Sequence, residues 1–299
     1  MKTLQTKVLI SAAGTLASVS YIKHLKANGY YVIGVNSESN TVGKFLCDEY
    51  HKSPLVSDKD NFLLFIESLT FDVYLPWLDE EHLLFASDLN ISFKDKILTS
   101  PSESIKIAVN KSKTYLFAKN NSINVAERTE KIPAFVRKNF SRGSKGARKV
   151  TNQDELDGLD KNIYIVQNLL EGKEYTVDCL CDQNGTPLII VPRERVSVSN
   201  VSLIGKICMN YEIINFCKLI LEKIKFFGPI NIQIIKSENK LVLIEINPRL
   251  AGTSVLTINA GADILIDGIE SFIGNTDKTF KYDVKDGLMM YRFYDEFYF

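Results

Sequence analysis

Leu241-Val-Leu-Ile-Glu-Ile-Asn-Pro-Arg249 is an apolar run rich in β-branched residues that carries two hard-oxygen side chains and stops at a proline. Read as a strand, Glu245 and Asn247 lie two apart and share a face. Both offer oxygens of the kind that Mg²⁺ prefers. Pro248 has no N–H to donate and ends the ladder. Arg249 follows as a fixed cation whose planar fork suits phosphate oxygens. A carboxylate, a carboxamide and a guanidinium at one strand end suit a magnesium-bound polyphosphate.

The neighbouring run Ile230-Asn-Ile-Gln-Ile-Ile235 is expected to pair with this strand as a hairpin. If Gln233 sits directly opposite Glu245, the hairpin is centred on Asn239, which requires a loop of odd length such as Glu238-Asn239-Lys240. A two-residue loop would place Gln233 opposite Ile244, on the wrong face. The odd loop is the expectation, with Gln233 as a third oxygen ligand. The plainer reading makes Gln233 an ordinary polar strand residue.

The chain has 299 residues, enough for two or three domains. Its 36 basic and 36 acidic residues give a formal net charge of zero, which argues against a general nucleic-acid binder. No apolar run approaches the roughly 18 residues of a membrane span. The polar start, Met1 to Ile10, reads as the approach to a strand and not as a signal peptide. Five cysteines without paired spacing read as reduced thiols, and the expected location is cytoplasmic. His24, His51 and His82 show no metal-binding spacing.

Along the chain, Lys7–Ile10, a helix from Leu16 to Asn28 and the strand Tyr30–Val35 form a strand–helix–strand unit that implies a parallel sheet. Gly14 between them invites a dinucleotide reading, but one glycine is not the fingerprint. A further helix spans Asp60–Ser68, a strand ends at Asp72–Pro76, and Trp77-Leu-Asp-Glu-Glu81 opens a helix with acidic residues where the dipole favours them. One helix is expected from Ser104 to Asn120, with Lys111 and Lys113 near its middle. The strand Lys131–Val136 leads into the basic, glycine-bearing stretch Arg137–Arg148. That stretch is either a flap whose backbone N–H groups approach phosphate or a solvated hairpin. Strands follow at Asn162–Gln167, Glu174–Cys181 and Thr186–Val191, with a turn at Asn184-Gly185. A helix from Asn210 to Phe226 precedes the last hairpin. The aromatic tail Tyr291–Phe299 either packs as a final strand or joins a dimer.

This order of segments resembles the ATP-grasp superfamily, and more narrowly carbamoyl-phosphate-synthase large-subunit-like relatives of the carboxylate–amine ligases. The resemblance is carried by Asp72–Glu81, by Asn110-Lys111 with Thr114, by Val166–Asp178 and above all by Glu245-Ile-Asn-Pro-Arg249. It implies an α/β fold: a Rossmann-like N-terminal domain over residues 1–103, then a two-lobed ATP-grasp fold with a mobile lid over 104–172 and a catalytic subdomain over 173–299. Gln233, Glu245 and Asn247 would hold Mg²⁺, with Mn²⁺ as a substitute. Arg249 would touch the ATP phosphates, and Lys111, Arg137, Lys138 and Ser144 would bind phosphate from the lid side. Gln167, Asn168, Leu169 and Leu170 would meet adenine and Glu174 the ribose. Arg193 and Arg195 would line the acyl-phosphate side. Two departures stand out: Arg137-Lys138 replaces the usual Lys-Pro, and Asn110 and Asn168 stand where acidic residues are common.

The resemblance implies a Mg-ATP-dependent ligase that activates a small-molecule carboxylate as an acyl phosphate for attack by an amine, without a covalent protein nucleophile. A homodimer is expected at family level, with no nucleic-acid or membrane partner. The alternatives are a nucleotide-binding protein of the same fold with little turnover, and a dinucleotide-dependent oxidoreductase using the Gly14 turn. Substrate choice is expected from loops, including Ser197–Lys206 and Ser11–Thr15.

Overall fold

The computed structural model describes residues 5–87, 90–141, 146–198, 202–238, 240–275, 282–293, 296 and 298. The first sheet is parallel. It contains β1 (Lys7–Ile10), β2 (Tyr31–Asn36), β3 (Glu49–Lys52) and β4 (Val73–Leu75), in the spatial order β3-β2-β1-β4. Residues alternate between its two faces. Val8 and Ile10 pack with Tyr21, Ile22 and Leu25 of α1 (Leu16–Ala27), whereas Leu9 packs on the opposite side with Phe62 and Ile66 of α3 (Lys59–Glu67). The short α2 (Gly43–Leu46) and α4 (Asp79–Ser87) complete this unit.

Where one helix was expected from Ser104 to Asn120, two occur. They are α5 (Ser102–Ala108) and α6 (Lys111–Asn120). Asn110 interrupts the run because its side chain accepts a hydrogen bond from the Lys113 backbone N–H at 3.0 Å, an N-cap arrangement. Lys111 is therefore the first residue of a helix and not its middle.

A three-stranded antiparallel sheet holds β5 (Ala134–Lys138), β6 (Arg148–Val150) and β7 (Tyr164–Asn168) in the order β6-β5-β7. Ala134, Val136 and Val150 pack on Leu156 of α7 (Gln153–Asp157). Phe135 and Arg137 face the other way.

The largest sheet has six strands: β8 (Lys173–Cys181), β9 (Pro187–Val198), β10 (Ser202–Ile207), β11 (Gly228–Ser237), β12 (Lys240–Asn247) and β13 (Met289–Tyr291), in the order β12-β11-β8-β9-β10-β13. One face buries Tyr175, Val177, Cys179, Cys181, Ile230, Ile232 and Ile234 against α8 (Tyr211–Lys223), which contributes Ile213, Cys217, Ile220 and Leu221 at helical spacing. Leu180, Ile189 and Val191 on the other face join Val8, Ile10 and α1 in one core, together with residues near α9 (Val255–Asn259) and α10 (Ile266–Phe272). All five cysteines are free thiols, and Cys179 and Cys181 are core residues on one strand face. Among the described residues no helix is long and apolar enough to cross a membrane. Most of the stretch 197–206, expected to be a loop, forms the end of β9 and β10; residues 199–201 lie outside the described residues. The aromatic tail supplies β13 through Tyr291, paired with β10, and its last residues lie largely outside the described set.

Candidate functional site

The face of the six-stranded sheet away from α8 carries the chemistry. Gln233 pairs with Glu245, and Asn231 with Asn247, across β11 and β12. Gln233 sits opposite Glu245 as expected, but not through an odd loop. Ser237 pairs with Lys240, so only two residues connect the strands, and the ladder shifts between Gln233 and Ile234. The extra residue is Ile244, a β-bulge. Its effect is visible in burial: Leu241 and Leu243 point into the core below the bulge, whereas Ile246 does so above it. The change of phase sends Glu245 and Asn247 to the opposite face. Without it they would follow Leu241 and Leu243 inward.

Two cations from separate elements converge on Glu245. Lys111 Nζ, at the start of α6, is 3.6 Å from Glu245 Oε2, and Arg137 Nη1, from β5, is 3.7 Å from the same oxygen. Both side chains are buried, at 8% and 7% exposure, against 20% for Glu245. Arg137 Nη2 donates to Gln167 Oε1 at 2.6 Å and to the Ile244 carbonyl at 3.2 Å, so the bulge also positions this guanidinium. Among the described residues its buried Nε has no hydrogen-bond partner. Burial pulls the Arg137 pKa below its usual value, with Glu245 opposing that shift. Lys111 Nζ also donates to the Ser141 carbonyl at 3.0 Å. Two enclosed cations facing one carboxylate leave an excess of positive charge, which is costly unless an anion neutralises it. The cavity here, about 90 Å³, is lined by Lys111, Arg137, Glu174, Arg195, Gln233 and Glu245, among others.

The residue set also fits a divalent cation. Asn247 Nδ2 donates to Asn231 Oδ1 at 3.1 Å and to Glu245 Oε1 at 3.4 Å, which leaves its Oδ1 as the atom able to face a cation. Gln233 and Glu245 supply further hard oxygens from paired positions. Among the described residues no group of three His, Cys, Asp or Glu side chains could hold a metal by itself. A site with one carboxylate suits a cation that takes its remaining oxygens from a polyphosphate.

The other expected site residues differ in placement. Lys138 projects from the opposite face of β5 to Arg137, is exposed, and lies over Gly146. Ser144 lies outside the described residues. Gln167 is 2% exposed and works through its side chain, which also donates to the Ala126 carbonyl at 2.7 Å. Asn168, Leu169 and Leu170 lead from β7 towards β8 and do not line this cavity. Glu174 Oε2 accepts from Arg195 Nη1 at 2.9 Å. Arg193 is sealed in the interior at 2% exposure. Its Nε and Nη2 donate to the two oxygens of Asp178 at 2.8 and 2.9 Å, and its Nη1 donates to Thr253 Oγ1 at 2.5 Å. Ser254 and Thr257 donate to the same carboxylate at 2.8 and 2.5 Å.

Arg249 meets a carboxylate of the first unit. Its Nε and Nη2 donate to Asp79 Oδ1 and Oδ2 at 2.7 and 3.2 Å. Burial raises the Asp79 carboxyl, but Arg249 outweighs it and the pKa lies below the usual value. Ser11 is likewise engaged, donating to Glu81 Oε2 at 2.6 Å. The sequence reading missed Asn231, Asp79 and Asp178. Asn231 was accessible, because it stands two residues before Gln233 and so shares its strand face. Asp79 and Asp178 are partners across long sequence separations that periodicity does not reveal.

Residues 160–292 match the family described as "ATP-grasp in the biosynthetic pathway with Ter operon". The carbamoyl phosphate synthase large chain of Thermoplasma acidophilum is 24% identical over 79% of this chain; this chain covers 26% of that protein. The chain thus spans about a quarter of that relative's length. Among solved structures, N5-carboxyaminoimidazole synthetase from Staphylococcus aureus superposes with a TM-score of 0.75 at 15% identity, covering 97% of this chain and 83% of that one. The biotin carboxylase domain dimer of Hydrogenobacter thermophilus 2-oxoglutarate carboxylase, solved with MgADP, ADP and bicarbonate, gives a TM-score of 0.75 at 14% identity, covering 96% and 74%. The fold is that of the ATP-grasp proteins.

Proposed function

We propose that this ATP-grasp chain is a Mg-ATP-dependent ligase that activates a small-molecule carboxylate as an acyl phosphate for attack by an amine or similar nucleophile. The observation that carries the reading is the convergence of Lys111 and Arg137 on Glu245, with Gln233 paired opposite and Asn247 two residues on. Gln233, Glu245 and Asn247 would hold Mg²⁺, or Mn²⁺ in its place. When bound, that cation neutralises triphosphate charge. Lys111 and Arg137 supply fixed positive charge to the phosphates, and Gln167 and the Ile244 carbonyl hold the Arg137 fork in place. The carboxylate oxygen attacks the γ-phosphorus, ADP leaves, and the nucleophile then displaces phosphate. The protein's part is positioning and electrostatics. The three-stranded sheet is the lid in this reading. The cavity, about 90 Å³, is smaller than the roughly 300–1,000 Å³ of small-molecule sites, and in this reading the lid swings outward to admit a nucleotide and closes to exclude water.

Binding of ATP should be measured by calorimetry with and without Mg²⁺, alongside ADP release over a panel of carboxylates. The double variant E245A/N247A should weaken cation-dependent nucleotide binding by at least about tenfold, or about 1.4 kcal/mol, and abolish ADP release. Unchanged cation-dependent affinity in that variant would overturn the metal assignment. The engagement of Arg249 by Asp79 favours a second reading, a nucleotide-binding protein with little turnover. Tight ATP binding without ADP release under any carboxylate would support it.

A further inference from the structure

Arg249 was expected to meet a ligand, yet its guanidinium is already occupied. Nε and Nη2 grip the two oxygens of Asp79 side by side, the fork-to-fork geometry that an incoming carboxylate or phosphoryl group would itself adopt. We propose that Asp79 is a displaceable internal occupant of an oxyanion subsite on Arg249, and so determines which anions that subsite accepts. The inference rests on the ligase reading above, within which it assigns a specificity-determining residue.

The contrast with the other bidentate pair carries the argument. Arg193 and Asp178 are 2% and 0% exposed, and the Asp178 oxygens are braced by Ser254 and Thr257. Arg249 and Asp79 retain 16% and 17% exposure, so solvent reaches the pair. Arg249 stands two residues beyond Asn247, just past the end of the strand that bears the proposed cation ligands.

Release is also inexpensive on both sides. Asp79 begins α4, where the helix dipole favours a carboxylate whether or not Arg249 holds it. Nη1 of Arg249 donates to the Leu250 carbonyl at 3.2 Å, which keeps the guanidinium oriented once Asp79 leaves. An entering group must replace a full negative charge and two hydrogen bonds. Neutral ligands cannot do so, and a bidentate oxyanion can. That oxyanion is either a substrate carboxylate or a phosphoryl group.

The test uses the full chain. Calorimetry first measures binding of Mg²⁺ with a non-hydrolysable ATP analogue, which checks the parent reading. Orthophosphate, acetate and bicarbonate are then titrated separately into wild type, Asp79→Asn and the Asp79→Asn/Arg249→Gln double variant. Asp79→Asn should bind at least one probe about tenfold more tightly than wild type, and the double variant should lose the gain. A gain for orthophosphate alone identifies a phosphoryl group, and a gain for acetate or bicarbonate a carboxylate. Equal affinities in wild type and Asp79→Asn, with a lower Tm in the variant, would show a purely structural ion pair and overturn the proposal. Should Asp79→Asn not fold, the Arg249 Nε–H resonance of the wild type decides. It should move as the bound probe displaces Asp79, and an unmoved resonance at saturation overturns the idea. Failure of the ATP analogue to bind would instead remove the parent reading, whatever the anion titrations give.

Discussion

Arg193 and Arg195 sit two residues apart on β9 with very different surroundings. Arg195 reaches Glu174 beside the cleft, whereas Arg193 is enclosed with Asp178. The family resemblance implied that both line the acyl-phosphate side of a cleft. It does not reveal which strand lies alongside, and the pairing of Thr176 with Arg193 is what brings Asp178 within reach. An enclosed ion pair costs much desolvation, but breaking one partner costs more, because the other charge stays buried and alone. Asp178→Asn should therefore lose about 3–5 kcal/mol of unfolding free energy. The double variant Asp178→Asn/Arg193→Met should lose clearly less. Urea unfolding of the two proteins checks this, and equal losses would show that the pair is not coupled.

Among the elements, α6 shows how local chemistry overrules a continuous hydrophobic pattern. Ile105, Ala108, Phe117 and Ala118 are all buried, so the apolar rhythm runs on across the break at Asn110. The capping bond marks the boundary. The break has a use. A lysine in a first helical turn is unfavourable towards the dipole, but there Lys111 is anchored by its backbone N–H to the Asn139 carbonyl at 3.1 Å and directed at Glu245. Asn110→Ala should destabilise the protein by about 1 kcal/mol and weaken ATP binding in parallel, both measurable in one thermal-shift series with nucleotide. Asn110→Asp preserves the cap and should restore both. The start of α6 was not read although its cap is local, whereas the Glu245 strand was legible because it rests on local chemistry. The partners of Arg249 and Arg193 were not, because they arise from closure of the chain over long separations.

Taken whole, the first unit and the six-stranded sheet share one core, and the Tyr21 hydroxyl donates to the Ala251 carbonyl at 2.6 Å across it. Protonation inside the first unit should therefore register in global stability. His82 is 1% exposed, and burial pushes its pKa down to about 4 from an ordinary 6.5. The unfolded chain takes up this proton first as pH falls. Its contribution is thus complete above pH 6.5 and is lost between about 6.5 and 4. Glu81, whose pKa is raised by burial, acts in the opposite sense, since its neutral form is favoured in the folded state. His82→Gln should flatten the pH dependence of unfolding free energy in that window by up to about 1.4 kcal/mol per pH unit. An unchanged slope in urea titrations at pH 4.5 to 6.5 would refute the assignment. Finally, the residue added at Ile244 separates two matters that a plain ribbon would tie together, namely the tightness of the tip and the orientation of the working side chains. Deleting that one position would mend the ladder and leave Gln233 opposite Glu245, whereas smoothing the bulge with every residue retained would turn the carboxylate towards oil and an isoleucine towards water. What descendants of this chain must preserve there is the phase of the ribbon, not the name of the residue.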